Sequence, residues 1–147
     1  MNVWWCNQTR CWIQELDDGV VRASDHMQRL TYRETVGEAK KGDIIVHYRK
    51  PFVYAVSRAK ENGKYKENLP EGYWSGWEFK TDYFPLEKPI HREDFRESLV
   101  AYADKYYAIN PNGWVKQGYF LRFDVKGLKV IRSKIPPKQR PDWLKVV

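Results

Sequence analysis

Residues 40 to 59 read KKGDIIVHYRKPFVYAVSRA, and this stretch decides the fold. Lys40-Lys41-Gly42-Asp43 forms a tight turn, and Ile44 to Tyr48 is a continuous apolar run of the kind that sits centrally in a sheet. Lys50-Pro51 then turns the chain back, so Phe52 to Ala59 pairs with that strand as a hairpin. On the N-terminal side, Asn2 to Asn7 (NVWWCN) is dense in residues that suit a pleated surface. Alternation along it sets Trp4 and Cys6 on one face and Val3, Trp5 and Asn7 on the other. One of the two indoles is expected in the core and the other along a cavity. Asp17-Asp18-Gly19 is a turn signal before a short strand, Val20 to Ser24. Ser24 or Asp25 then caps a helical stretch running toward Lys40, weakened in its second half by Gly37.

On the C-terminal side, Glu61 to Gly72 is polar, with two Gly and one Pro, and reads as a loop. Trp77 to Leu86 reads as a long strand that Pro85 ends or marks as an edge. The apolar positions from Phe95 to Tyr107 approach a helical stripe, predicting a helix over 93–107. Asn110 to Gly113 breaks it, and Gln117 to Val125 reads as the last strand. Gly127 to Ile135 is ambiguous, and Pro136, Pro137 and Pro141 predict an extended arm. Strands joined by hairpins, with two or so inserted helices, give an α+β chain: a mixed, mostly antiparallel barrel of five or six strands. Residues 1–125 form the barrel domain and 126–147 a C-terminal segment on or beside it.

At 147 residues the chain buries a core without disulfide or metal staples. Its formal charge of +7 is concentrated at the end: residues 126–147 hold seven Lys/Arg against one acid, Asp142. A basic end on a near-neutral body suits a polyanion laid across one face, with Arg22, Arg49, Lys126, Lys129, Arg132 and Lys134 as candidate backbone contacts. Cys6 and Cys11 lack the paired spacing of a zinc site and are read as reduced thiols. No apolar run approaches the roughly 20 residues of a membrane span, and the N-terminus lacks the layout of a signal peptide, so a cytoplasmic protein is expected.

Catalytic signatures are absent: no GxSxG elbow, P-loop, HExxH or paired-Cys deaminase motif occurs, and no cofactor or metal is implied. Of the three histidines, His47 lies inside an apolar strand as a satisfied core imidazole. Asp43 with Asp82 is a carboxylate pair to consider for a small metal-dependent nuclease. The chain reads as a binder and not an enzyme. Aromatic residues at 16% include seven Trp, and Trp74 and Trp77 flank Ser75-Gly76. Trp5, Trp74 and Trp77 supply planar walls, and Asn7, Gln8, Ser24 and Asp25 supply donors and acceptors, the set a flipped base requires.

In this order the motifs resemble the EVE and YTH branch of the PUA-like barrels. VWWCNQ is similar to the first strand of an EVE domain, GVVRASD (19–25) to the second strand of YTH readers, and QGYFLRF (117–123) to the closing strand. The 40–59 stretch is similar to the family's KxGD, apolar strand, turn, small-residue strand signature. YWSGWEFKTDYFPL (73–86) resembles the YTH segment in which a WxG unit supplies a cage tryptophan, matched here by Trp74. Where YTH readers carry a further cage Trp this chain has Leu69, and Val21 to Ala23 replace their second-strand Trp. The resemblance implies a barrel that holds a methylated or hypermodified base, flipped from duplex DNA, in an aromatic cage. DNA carrying such a base is then the partner, with RNA as the other nucleic acid and a nuclease or motor protein of a restriction system as a protein partner. A generic RNA or single-strand binder of the PUA type is the alternative reading.

Overall fold

A computed structural model describes residues 1–9, 12–26, 33–70, 73–104 and 107–147. Cys11 lies outside the described residues. Seven strands form one sheet: β1 (Val3–Asn7), β2 (Val20–Ser24), β3 (Ile44–Arg49), β4 (Phe52–Ala59), β5 (Lys64–Lys66), β6 (Gly76–His91) and β7 (Phe120–Phe123). Their order is β2-β6-β4-β3-β1-β7, with the three-residue β5 attached to β6. β1 runs parallel to β3 and every other pairing is antiparallel. The architecture is the expected α+β, mixed and mostly antiparallel one, built on six principal strands.

The sheet is curled. Phe79 on β6 and Phe120 on β7 are separated by three intervening strands, yet their ring centroids are 5.7 Å apart. The concave side holds Trp4, Cys6, Val21, Ile45, Phe79 and Phe120. The convex side carries Trp5, Val46, Val53, Val56 and Phe123. The alternation read along β1 is therefore correct, but both its indoles are core: Trp4 and Trp5 are each fully buried. The parallel pairing is fixed at its start by Asp43, whose carboxylate accepts from Asn2 N, Trp4 Nε1 and Lys40 N, all at 2.9 Å.

Among the described residues, strand pairing does not close the curl. The seam between β2–β6 and β7 is filled by the 3₁₀ turn Glu34–Glu38. Thr35 Oγ1 donates to Phe120 O on β7 at 2.5 Å, while Val36 and Ala39 are buried in the concave cluster. Gly63 N donates to Ala39 O at 2.8 Å, clamping the turn from the other side. This turn occupies part of the helix expected from Ser24 or Asp25 toward Lys40; residues 27–32 lie outside the described residues.

Several expectations are corrected. The loop at 61–72 contains β5. β6 does not stop at Pro85 but continues to His91, because Pro85 faces Ala55 at a register shift in β4, where its missing N–H breaks no ladder. The helix expected over 93–107 shrinks to α2 (Arg96–Leu99) between 3₁₀ turns at 92–94 and 100–102. Of the described residues of its stripe, Phe95 and Leu99 are fully buried, Tyr102 and Ala103 only partly, and Val100 is exposed; one buried turn does not sustain a long helix.

The C-terminal segment is not an extended arm. It forms α3 (Val125–Ser133) and α4 (Asp142–Lys145), with Asp124 capping α3 through Lys126 N at 2.6 Å. Leu128, Ile131, Ile135 and Leu144 are buried against the convex face. A further helix, α1 (Trp12–Asp18), connects β1 to β2.

A Cβ added to Gly63 would stand 2.0 Å from Val36 O. Gly63→Ala is therefore expected to push the turn off the seam and lower the unfolding free energy by about 2 kcal/mol, read from urea denaturation. An unchanged midpoint would show that the turn does not hold the seam.

Candidate nucleic-acid interface

The two halves of the expected base site sit apart. Gln8 Nε2 donates to Tyr83 OH on β6 at 2.9 Å, whereas Trp74 and Ser75 precede Gly76, the first residue of that strand. At about 3.3 Å per residue, the run of β6 between them spans roughly 20 Å along the strand. Trp5, Asn7 and Gln8 belong to one end of the sheet, and Ser24, Asp25, Trp74 and Trp77 to another.

At the first end lies an open cleft of about 780 Å³ between the C-terminal ends of β1 and β3 and the loop leading to β7. Lys50, Arg92 and Lys116 line it, with Trp114 and Tyr48, and no carboxylate is among the described residues that line it. Asn7 and Gln8 shape this cleft but are not free to read a ligand. Asn7 Oδ1 accepts from Trp5 Nε1 at 2.9 Å, and its Nδ2 donates to Lys116 O and Gly118 O, at 3.0 and 2.8 Å. The asparagine thus pins the cationic loop to the end of β1. Trp5 packs against Tyr48, Phe95 and Phe123 and is a buttress, not a wall. The polar groups that do face the cleft from exposed positions are Thr9 and Gln117.

The cations are supported from the side. Arg92 and Arg96 lie over the Trp114 ring at 4.6 and 4.4 Å. Arg92 Nε has no hydrogen-bond acceptor among the described residues, although Glu93 is 3.7 Å away. Lys116 Nζ donates to Asp104 O at 2.6 Å. Just outside the cleft, Arg49 stacks on Trp12 at 4.3 Å.

Beneath the cleft the concave side is filled by a buried polar network. Gln8 Oε1 accepts from Tyr54 OH at 2.6 Å and from His47 Nδ1 at 2.9 Å. That places the proton on Nδ1, so Nε2 accepts from Ser57 Oγ at 2.6 Å, which in turn accepts from Thr81 Oγ1. Burial lowers the His47 pKa to about 3, so the ring is neutral and is the satisfied core imidazole expected. Glu15 on α1 accepts from Tyr119 OH and from Arg22 N. Desolvation raises its pKa to about 7, against the opposing effect of those donors and of Gln8.

At the other end, Ser24 is buried and donates to Tyr73 O, while Asp25 accepts from Tyr65 OH at 2.5 Å and Ser75 Oγ at 2.8 Å. Trp77 meets Tyr65 edge-on at 5.6 Å, and Trp74 meets His26 likewise at 5.6 Å. The structure therefore brings four of the seven expected residues together here, and adds His26, Tyr65 and Ser75.

The expected backbone contacts scatter. Arg22 is buried against Glu78 at 2.7 Å and Asp18 at 3.0 Å, a structural ion pair. Arg132 Nη1 donates to Leu144 O and Val147 O, tying α3 to α4. Lys126 and Lys129 are exposed on α3, and Lys134 lines a separate shallow cleft beside Glu87 and Asp94. Asp43 is spent on its three donors, away from Asp82, which is exposed on β6. No group of three His, Cys, Asp or Glu gathers among the described residues.

No protein-family model matches the chain, and no curated protein sequence does either. Solved structures do. The YTH domain of Zygosaccharomyces rouxii MRB1 protein, determined in complex with N6-methyladenosine RNA, aligns at a TM-score of 0.55 and 11% identity, covering 89% of this chain and 85% of that one. Protein Atu2648 from Agrobacterium tumefaciens aligns at 0.57 and 15% identity, covering 97% of this chain and all of its own. The chain has a YTH-like fold.

Glu15 sets a pH dependence. Its folded pKa lies above the ordinary 4.5, so the native state holds the proton more tightly than the unfolded chain. Stability is fully present below about 4.5 and is lost as the pH rises to about 7, at up to about 1.4 kcal/mol per pH unit. Glu15→Gln should flatten that slope and leave the protein more stable than wild type at pH 8, as measured by urea midpoints at pH 5 and 8. Parallel profiles for the two proteins would place the titration elsewhere.

Proposed function

We propose that the chain is a nucleic-acid-binding domain that reads a modified base, with the cleft beside Asn7 as the binding site. The observation that carries this reading is the gathering of Lys50, Arg92 and Lys116 next to the Trp114 indole in one opening, whose described lining residues include no carboxylate. Phosphates need cations and a base needs a planar face, and the cleft offers both within a volume that accommodates a nucleotide. The fold likeness supports the reading, because the Zygosaccharomyces rouxii domain is seen with N6-methyladenosine RNA.

In this proposal Lys50, Arg92 and Lys116 neutralise the backbone, and the base stacks on the layer that the Trp114 indole forms with its arginines. Thr9 and Gln117 read its edge in place of the braced Asn7 and Gln8. Extruding a base from a duplex costs a few kcal/mol and stacking on one aromatic returns about 1–3 kcal/mol, so a duplex ligand needs an already weakened pair. A buried methyl adds about 0.8 kcal/mol, close to a four-fold preference. Single strands avoid the extrusion cost and should bind more tightly than the matching duplex.

The test is a polarisation titration of single-stranded and duplex DNA and RNA, with and without a methylated base, across a salt series. Lys50→Ala and Lys116→Ala should weaken every ligand alike, each reducing the slope of log K against log salt by about one. Trp114→Ala should remove the preference for the methylated strand. Equal affinity for modified and unmodified forms of every ligand, or no binding at low salt, would sink the proposal.

A further inference from the structure

The end of the sheet at Trp74 carries a second set of chemistry that the cleft does not use. This chain covers its indoles with its own arginines: Arg122 lies over Trp4 at 5.1 Å, Arg49 over Trp12 at 4.3 Å and Arg58 over Trp143 at 6.0 Å, besides the pair on Trp114. Trp5 is enclosed, and Trp77 is wedged between Tyr65 and Gly37. Trp74 is the most exposed of the seven, at 64%, and among the described residues no cation lies over it.

Its exposure is enforced. Trp74 has φ +64°, a left-handed conformation that costs a bulky residue about 1–2 kcal/mol and glycine almost nothing. Trp74 O accepts from Leu69 N at 2.7 Å and its N donates to Pro70 O at 3.4 Å, so main-chain bonds hold Trp74 itself in place. Strain of this kind concentrates where a chain holds a side chain for a ligand.

A carboxylate stands beside the open ring. Asp25 Oδ1 accepts from the hydroxyl of Ser75, the neighbour of Trp74, and lies 3.3 Å from His26 Nδ1, whose ring meets the Trp74 indole. The Tyr65 and Ser75 hydroxyls hold Asp25 below the usual carboxylate range, so it stays charged. Among the described residues the nearby cations are engaged elsewhere: Arg33 with Ser24 O, and Lys66 with Glu78. A carboxylate offers about four lone-pair sites, which leaves room for a further N–H donor.

We infer that Trp74 and Asp25 form a docking site for an arginine side chain of a partner protein, the guanidinium stacking on the exposed indole and donating to the carboxylate. A planar cation with N–H donors satisfies both groups at once, which a quaternary ammonium, lacking donors, and a phosphate, repelled by Asp25, do not. Tyr65, half exposed and bonded to Asp25, forms the rim. The site is independent of the cleft, so a nucleic acid and a partner protein can be held together.

The experiment follows the Trp74 indole N–H in a ¹H–¹⁵N spectrum of the full chain, assigned by its loss in Trp74→Gly. The probes are a blocked Gly-Arg-Gly peptide, the same peptide with neutral citrulline, and a short single-stranded oligonucleotide. A saturable shift is expected with the arginine peptide, at least five-fold weaker with citrulline and at least five-fold weaker in Asp25→Asn. Trp74→Gly relieves the backbone strain, so it should keep its fold and its cleft binding while losing the peptide response. An equal response to arginine and citrulline, a stronger response to the oligonucleotide, no response at all, or a shift that depends on protein concentration without peptide would each overturn the inference.

Discussion

The parallel pairing of β1 with β3 is the constraint from which the rest of the architecture follows, and Asp43 enforces it. One buried carboxylate gathers a main-chain N–H from the start of β1, the indole N–H of Trp4 and the N–H of Lys40. Charge-assisted bonds of this kind are individually strong, and removing the acceptor would strand three donors. With the start of the pair locked, Asn7 must fall beside Tyr48 at its end. That juxtaposition opens the cleft, and Asn7 then draws in the 116–118 loop. A register constraint at one end of two strands thereby positions the cations at the other.

The two sides of the sheet solve different problems. The convex side is apolar and is covered by α2, α3 and α4, in ordinary side-chain packing. The concave side mixes aromatic rings with Gln8, Glu15, His47, Ser57 and Thr81, all buried and all hydrogen-bonded. Such a network adds little net stability, but it tolerates no alternative arrangement, because each displaced group would be left without a partner. It fixes the floor under the cleft.

The hairpin of β3 and β4 was readable because β-branched runs flank a turn signal. β1 and β2 were readable by alternation, and the YTH-like order of motifs carried the fold. α1 was invisible for a physical reason: the residue it buries is Glu15, so it has no apolar stripe to betray it. The cleft was equally hidden, since Lys116 and Gly118 meet Asn7 only through bonds spanning 109 and 111 positions of chain, and Trp114 comes with their loop. Trp5 and Trp74 look alike in composition, yet one is a buttress and the other stands in solvent. The expected site joined residues of the right chemical type that the topology distributes between two ends of the sheet.

The seam between β2–β6 and β7 is bridged by side chains and a single turn of backbone, without a continuous ladder. Val36 and Ala39 are buried in the concave cluster, so the curl is held shut by side-chain packing and the bonds of one short turn. Parting the ring at this seam would break no strand ladder, whereas a cylinder closed by strands throughout would have to unzip one.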